Sequence, residues 1–279
     1  MTIRLFDRRQ DPRGRRVLIT GASGAIGRPL GERLTRAGAH VVGLDLRPTG
    51  DAPFTVLRCD ITDDSSIATA VAEAPDTLGG LDILANNAGI GGPAPADLAT
   101  SDEVRRQLEI NLLGTWRTTA ARGRVVMVTS RMAVMQLPLA AAYGASKRAM
   151  VAYAYAYADA DALSLELGTH VTVSCVHPSA VRSPIHDSTK AAGLSLDGMS
   201  VYEPLDGVLD TIERAALAVR ARRDLPTTRK GTVEFFLARH LPALTGRIVR
   251  RTLAERAAAG AFDDAPLAAG VAARHRSTP

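Results

Sequence analysis

Short runs that are apolar at every position, typified by Val125-Val126-Met127-Val128, recur through the first two thirds of this chain and alternate with amphipathic stretches. A strand built from such a run has no side that tolerates water, so both of its faces must be covered. Buried parallel sheets meet that demand, whereas half-exposed antiparallel strands alternate polar with apolar residues. The pattern predicts strands at 16–20, 40–45, 55–59, 81–86, 124–129 and 170–176, with a fainter seventh signal between 223 and 231. Helices are predicted near 25–37, 63–74, 102–121, 142–167 and 204–222. Crossovers between parallel strands have a fixed hand, so this order implies an α/β fold: a doubly wound parallel sheet in three αβα layers.

With 279 residues, 46% of them hydrophobic, the chain can bury one large core. We expect a single domain over 1–259 that includes a lid at 182–204 and a basic helical segment at 232–256, followed by a flexible tail at 260–279. Cys59 and Cys175 lie in apolar strand-like segments, which fits reduced core thiols of a cytoplasmic protein, not a disulfide framework. The arginines between Arg4 and Arg16 precede no apolar signal core, and no run reaches the roughly eighteen apolar residues of a membrane span. The net charge of +5 raises the question of nucleic acid, but ten basic and three acidic residues fall between Arg220 and Arg256, leaving −2 elsewhere. That segment has no zinc-finger or helix-turn-helix spacing, so no nucleic-acid partner is expected.

The first chemical feature is Thr20-Gly21-Ala22-Ser23-Gly24-Ala25-Ile26-Gly27, between the first predicted strand and helix. Gly21 permits a tight turn, Gly24 and Gly27 let backbone approach a pyrophosphate or pack closely, and the helix that follows offers its positive end. Glycines at such turns are often purely structural. A second clue is Asp45, eighteen residues after Gly27 at the end of the second strand. A carboxylate there accepts hydrogen bonds from an adenosine ribose diol and repels a 2′-phosphate, which favours NAD over NADP. A solvated turn aspartate is the plainer alternative, and Arg47 leaves phosphate tolerance open.

The second feature has acid-base character. Tyr143 and Lys147 are four residues apart and share a helical face, and Ser130 lies thirteen residues earlier at a predicted strand end. A free phenol titrates near about 10, too high for an efficient proton shuttle, so it needs nearby positive charge, which Lys147 would supply. Ser130 would hydrogen-bond a substrate oxygen and orient its carbonyl carbon. Taken singly, a core tyrosine, a snorkelling lysine and a strand-end serine are the duller alternatives.

From about Arg15 to Pro184 these motifs, in this order, resemble the short-chain dehydrogenase/reductase family, whose fold is Rossmann-like. The resemblance implies catalytic roles for Asn111, Ser130, Tyr143 and Lys147, with Asn111 in a proton relay through a bound water. It implies cofactor contacts at Gly21, Ser23, Gly24, Ala25, Ile26, Gly27 and Asp45, at Asp60 and Ile61 beside the adenine, and at Asn87, Ala88 and Gly89. Tyr143, Lys147 and a turn containing Pro178, Val181 and Ser183, similar to the family's nicotinamide-holding turn, complete the cofactor set. The function so implied is an NAD(H)-dependent oxidoreductase acting on a secondary alcohol or ketone; the alternative is a catalytically weak NAD(H)-binding redox sensor or scaffold.

Several segments depart from the family. Ser179 stands where glycine usually follows Pro178. The helix bearing Asn111 looks short by roughly two turns, while the next is extended through Tyr153, Tyr155 and Tyr157, which at spacing two cannot share one face. The family pairs these helices between subunits, so a homo-oligomer with an altered helix interface is expected, ordinary repacking being the alternative. In the lid, Ile185, Leu194, Leu196 and Met199 favour a bulky hydrophobic substrate. In 232–256, Val233, Phe236, Leu237, Leu241, Leu244, Ile248 and Leu253 recur among Arg239, Arg247, Arg250 and Arg251, with Pro242 expected to break or kink the helix. Such a segment either caps the cleft, packs on a partner subunit or lies on an anionic membrane surface. The six histidines form no cluster with cysteines or carboxylates, so no metal is expected.

Overall fold

The computed structural model describes residues 9–96, 100–119, 123–135, 138–158, 171–192, 202–220 and 222–276. Seven strands, β1 (Arg16–Thr20), β2 (His40–Asp45), β3 (Thr55–Arg58), β4 (Ile83–Asn86), β5 (Arg124–Val128), β6 (Thr172–His177) and β7 (Asp224–Pro226), form one parallel sheet in the order β3-β2-β1-β4-β5-β6-β7. The fold is the expected doubly wound one, and the faint seventh signal is a short edge strand.

Both faces of the sheet are covered, and successive residues divide between them. Val17, Ile19, Val126 and Val128 pack with Leu30 and Leu34 of α1 (Gly27–Arg36) and with Val208 and Ile212 of α7 (Leu205–Leu217). Leu18, Val125 and Met127 pack on the other side with Ile67 and Ala70 of α2 (Asp64–Leu78) and Met150 and Ala154 of α5 (Ala141–Ala158). Cys59 and Cys175 are both free and buried in that second layer.

The predicted helix at 102–121 is interrupted. It comprises α3 (Ser101–Leu108), a π-helical turn over Glu109–Gly114 and α4 (Thr115–Thr118). Thr100 caps α3 in a box with Glu103. The helical stretch from Ser101 to Thr118, capped by Thr119, is as long as the 18 residues of α5; residues 120–121 and 159–167 of the two predicted helices lie outside the described residues. Tyr153 is buried in the core and Tyr155 turns towards β7, where its hydroxyl donates to Asp224 at 2.5 Å; the side chain of Tyr157 lies outside the description. Tyr155 is therefore an intramolecular strut and not a free interface residue.

The segment expected to form a lid holds a 3-10 turn at Pro184–His186 and α6 (Asp187–Ala191); Leu194, Leu196 and Met199 lie outside the described residues. Pro242 divides the basic segment as expected, ending α8 (Arg229–His240) and opening α9 (Pro242–Ala258) at N1. The expected flexible tail gives way to structure. Phe262, Ala265 and Ala268 bury themselves against Leu253 and Ala257, ahead of α10 (Ala269–Arg276), because their spacing gives this stretch an apolar side of its own. No helix among the described residues is long and apolar enough to cross a membrane.

Candidate active site

Strand order reverses between β1 and β4, and a cleft of about 710 Å³ opens along the carboxyl ends of the strands, where this topology places ligands. Its floor at one end is the glycine-rich turn. Gly21 has φ +66°, and a Cβ there would come within 2.9 Å of Ala88 Cα. At Gly27 a Cβ would lie 2.1 Å from Gly21 O, so this glycine is needed for the turn to close and sits behind the cleft wall. The backbone of Asn87 and Ala88 donates to Thr20 Oγ1 at 3.0 Å each, and Asn87 Nδ2 donates to the carbonyls of Thr20 and Gly21 at 3.1 Å. Asn87 thus latches β4 to the turn. Backbone N–H groups at the start of α1, glycines that no side chain can replace and an open cleft beside them fit a dinucleotide pyrophosphate.

Asp45 lines the same end of the cleft. One carboxylate oxygen accepts from Ser23 N and the other from Arg47 N, both at 2.9 Å, which fixes the group while leaving lone pairs available. Asp60 and Ile61 also line the wall, with Asp60 Oδ1 held by Thr62 N at 2.9 Å and Thr62 Oγ1 at 2.7 Å.

At the other end Ser130, Tyr143 and Lys147 converge on the cleft. Ser130 follows β5 and accepts from Met132 N at 3.1 Å, and Tyr143 and Lys147 share one face of α5. Lys147 Nζ lies 5.9 Å from the centroid of the Tyr143 ring and donates to Val128 O at 3.2 Å. Burial pushes the phenol of Tyr143 above its ordinary value against the pull of its hydrogen bond to Ser130. Burial also lowers Lys147 from 10.5 to about 8. The expected depression of the phenol does not arise from the protein's own groups, because desolvation outweighs the hydrogen bond to Ser130.

Asn111 sits in the π-helical turn, fully buried. Its Nδ2 donates to Ile90 O and Ser146 Oγ, both at 2.9 Å, and its Oδ1 accepts from Ile90 N at 2.8 Å. Both amide protons are committed, so the side chain pins the loop after β4 instead of donating to a water. Gly89 belongs to that loop; a Cβ on it would lie 3.0 Å from Asn111 Oδ1 and 3.2 Å from Lys147 Nζ.

Pro178, Val181 and Ser183 border the cleft after β6. Ser179 sits there without strain, since Leu139 is the only described non-glycine residue with positive φ. Sequence reasoning missed what holds this turn. Ser179 N donates to Glu203 Oε1 at 2.5 Å, Thr227 Oγ1 donates to the same carboxylate, and Arg131 N donates to Pro178 O at 2.8 Å. Burial raises the pKa of Glu203. Arg131, which also lines the cleft, pairs with Glu234 of α8. Beneath them, His177 bridges Thr129 Oγ1 and Asp224 Oδ1 at 2.8 Å each, and Arg239 Nη1 reaches Tyr155 Oη at 3.0 Å. Among the described residues no group of three or more His, Cys, Asp or Glu side chains is placed to hold a metal ion.

A reversed parallel sheet with such a cleft defines a dinucleotide-binding α/β protein. The family model described as short chain dehydrogenase matches residues 15–193, and the chain belongs to that family of oxidoreductases, which act on alcohol and carbonyl groups with NAD or NADP. It is 29% identical over 235 residues to the NADPH-dependent 3-dehydrocapnine reductase of Ornithobacterium rhinotracheale, covering 74% of this chain and 81% of that protein. It is 30% identical over 184 residues to the mitochondrial borneol dehydrogenase of Lavandula x intermedia, covering 62% and 71% of the two chains. The crystal structure of 3-ketoacyl-(acyl-carrier-protein) reductase from Brucella melitensis, complexed with NADH, shares the fold with a TM-score of 0.65 at 24% identity, over 77% of this chain and 97% of that one.

Proposed function

We propose that this dehydrogenase transfers hydride between nicotinamide and a bulky hydrophobic secondary alcohol or ketone, with NAD(H) preferred over NADP(H). The observation that carries the proposal is the placement of Ser130, Tyr143 and Lys147 in one cleft with the glycine-rich turn and Asp45. When bound, NAD supplies the hydride acceptor and, being oxidised, a positive charge near the phenol. Ala25 and Ile26 would offer backbone donors to the pyrophosphate, Ser23 and Gly24 would shape the turn beside it with their own N–H groups bound to Asp45 and Gly21, and Asp45 would receive the ribose diol. Tyr143 Oη gives or takes the proton, Ser130 orients the substrate oxygen, and Lys147 would favour the phenolate together with the charge of the oxidised cofactor. Asn111 keeps the loop over these groups in place through Ile90, and the turn at Pro178, Val181 and Ser183 holds the carboxamide. Ile185, packed over Gly91, supports an apolar substrate.

One relative is named NADPH-dependent, so the preference for NAD rests on Asp45. We place the protein in the cytoplasm, as one domain that assembles into a homo-oligomer. Trp116, stacked on Tyr153 at 4.3 Å yet 56% exposed, supports a subunit interface on that helical face. The alternative is a catalytically weak NAD(H)-binding redox sensor or scaffold.

Fluorescence titration with NADH, followed by a panel of carbonyls and alcohols, separates the two roles. We expect turnover, and a loss of about 10²- to 10⁴-fold in kcat for Tyr143→Phe with NADH affinity retained. Undiminished turnover in that variant rejects the mechanism, and tight NADH binding without turnover in the parent assigns the sensor.

A further inference from the structure

Of the ten large hydrophobic side chains that stay exposed among the described residues, five lie between Val233 and Ile248, on α8, α9 and the elbow between them. Val233 and Phe236 share one side of α8, and His240 a turn further on lies against the Phe236 ring at 4.5 Å. Leu241 at the elbow, Leu244 and Ile248 share one side of α9 by the same spacing. Phe236 is 58% and Ile248 52% exposed, so this row does not build the core. The core role belongs to other residues of α9: Leu253 and Ala257 pack with Phe262 and with Leu139 and Ala192.

Charge says what can cover the row. The three acids of this segment are engaged: Asp224 with His177 and Arg239, Glu234 with Arg131, and Glu255 with Arg251. The cations Arg229, Arg247 and Arg250 are exposed and have no ion pair among the described residues. Apolar side chains bordered by the uncompensated cations Arg229, a turn before Val233 on α8, and Arg247, at the flank of the row on α9, match a surface that is anionic outside and apolar just beneath, that of a bilayer with acidic headgroups. A second copy of the same face would bring the same positive charge and be repelled.

We propose that the α8–α9 elbow docks on an anionic phospholipid bilayer, with Phe236, Leu241, Leu244 and Ile248 at the acyl boundary and Arg229 and Arg247 against the headgroups. The surface is independent of the chemistry in the cleft. The test is co-sedimentation of the full chain with vesicles of phosphatidylcholine alone or with about 30% phosphatidylglycerol. We expect at least about tenfold more protein on the anionic vesicles, released at high salt. Arg229→Glu with Arg247→Glu, and separately Phe236→Ser with Ile248→Ser, should each lower that binding by about tenfold or more while turnover in solution is unchanged. Absence of binding, or equal binding to neutral and anionic vesicles, overturns the proposal, and this comparison needs no variant to fold. A dimer in sedimentation velocity that Phe236→Ser breaks would assign the face to a second copy and overturn it equally.

Discussion

The two ends of the cleft are built by different means. Around β1 to β3 the donors are backbone N–H groups: those of Asn87 and Ala88 bind Thr20 Oγ1, Ser23 N binds the Asp45 carboxylate, and glycines keep the space open. Around β5 to β7 the polar work is done by buried side chains: His177 with Asp224 and Thr129, Glu203 with Thr227, and Arg131 with Glu234. The difference teaches where each end is vulnerable. A glycine-lined cradle of backbone donors fails by steric intrusion, whereas a buried polar network fails when one partner is removed and the rest are stranded.

The sharpest way to break the contrast is Asp224→Ala. It strands His177, Tyr155 and Arg239, and we expect a loss of about 3 to 4 kcal/mol in urea denaturation. A loss below about 1 kcal/mol would show that the network contributes little.

A slightly smaller effect, of about 3 kcal/mol, concerns Lys147. Its pKa falls from 10.5 to about 8 in the fold. Between those two values the unfolded chain holds a proton that the folded chain has released, so stability climbs as pH rises through this window and is level below it. Lys147→Met removes the slope: it should be more stable than the parent at pH 7, with the gap closed by the upper end of the window. Parallel stability curves for the two proteins would refute burial as the cause.

The smallest effect belongs to the backbone end. Asp45→Ala should lower the NAD to NADP ratio of kcat/KM by about tenfold with little change in stability, since neighbouring backbone groups remain exposed to water. An unchanged ratio would remove Asp45 from cofactor selection.

Much of the fold and the outline of the site were legible because their signals are local. An all-apolar run such as Val125 to Val128 demands a covered strand, Gly21 and Gly27 mark a turn that no side chain fits, and Tyr143 and Lys147 share a face through a single helical turn. What was missed depends on distant partners. Ser179 meets a carboxylate 24 residues away, His177 one 47 away and Arg131 one 103 away, and no periodicity connects them. Phe262, Ala265 and Ala268 lie in a stretch of small and polar residues, so only their packing against Leu253 and Ala257 reveals an apolar side.

By itself the sequence determined the element order, the parallel sheet and the residues that meet at its carboxyl edge, because hydrophobic period and glycine placement act over a few neighbouring positions. Only the tertiary structure decided how those residues are tuned and held: Tyr143 raised and Lys147 lowered by burial, Asn111 committed to Ile90 and Ser146, and Ser179 anchored on Glu203. Desolvation and hydrogen-bond partnership depend on what surrounds a group in space, and segments far apart along the chain supply those surroundings.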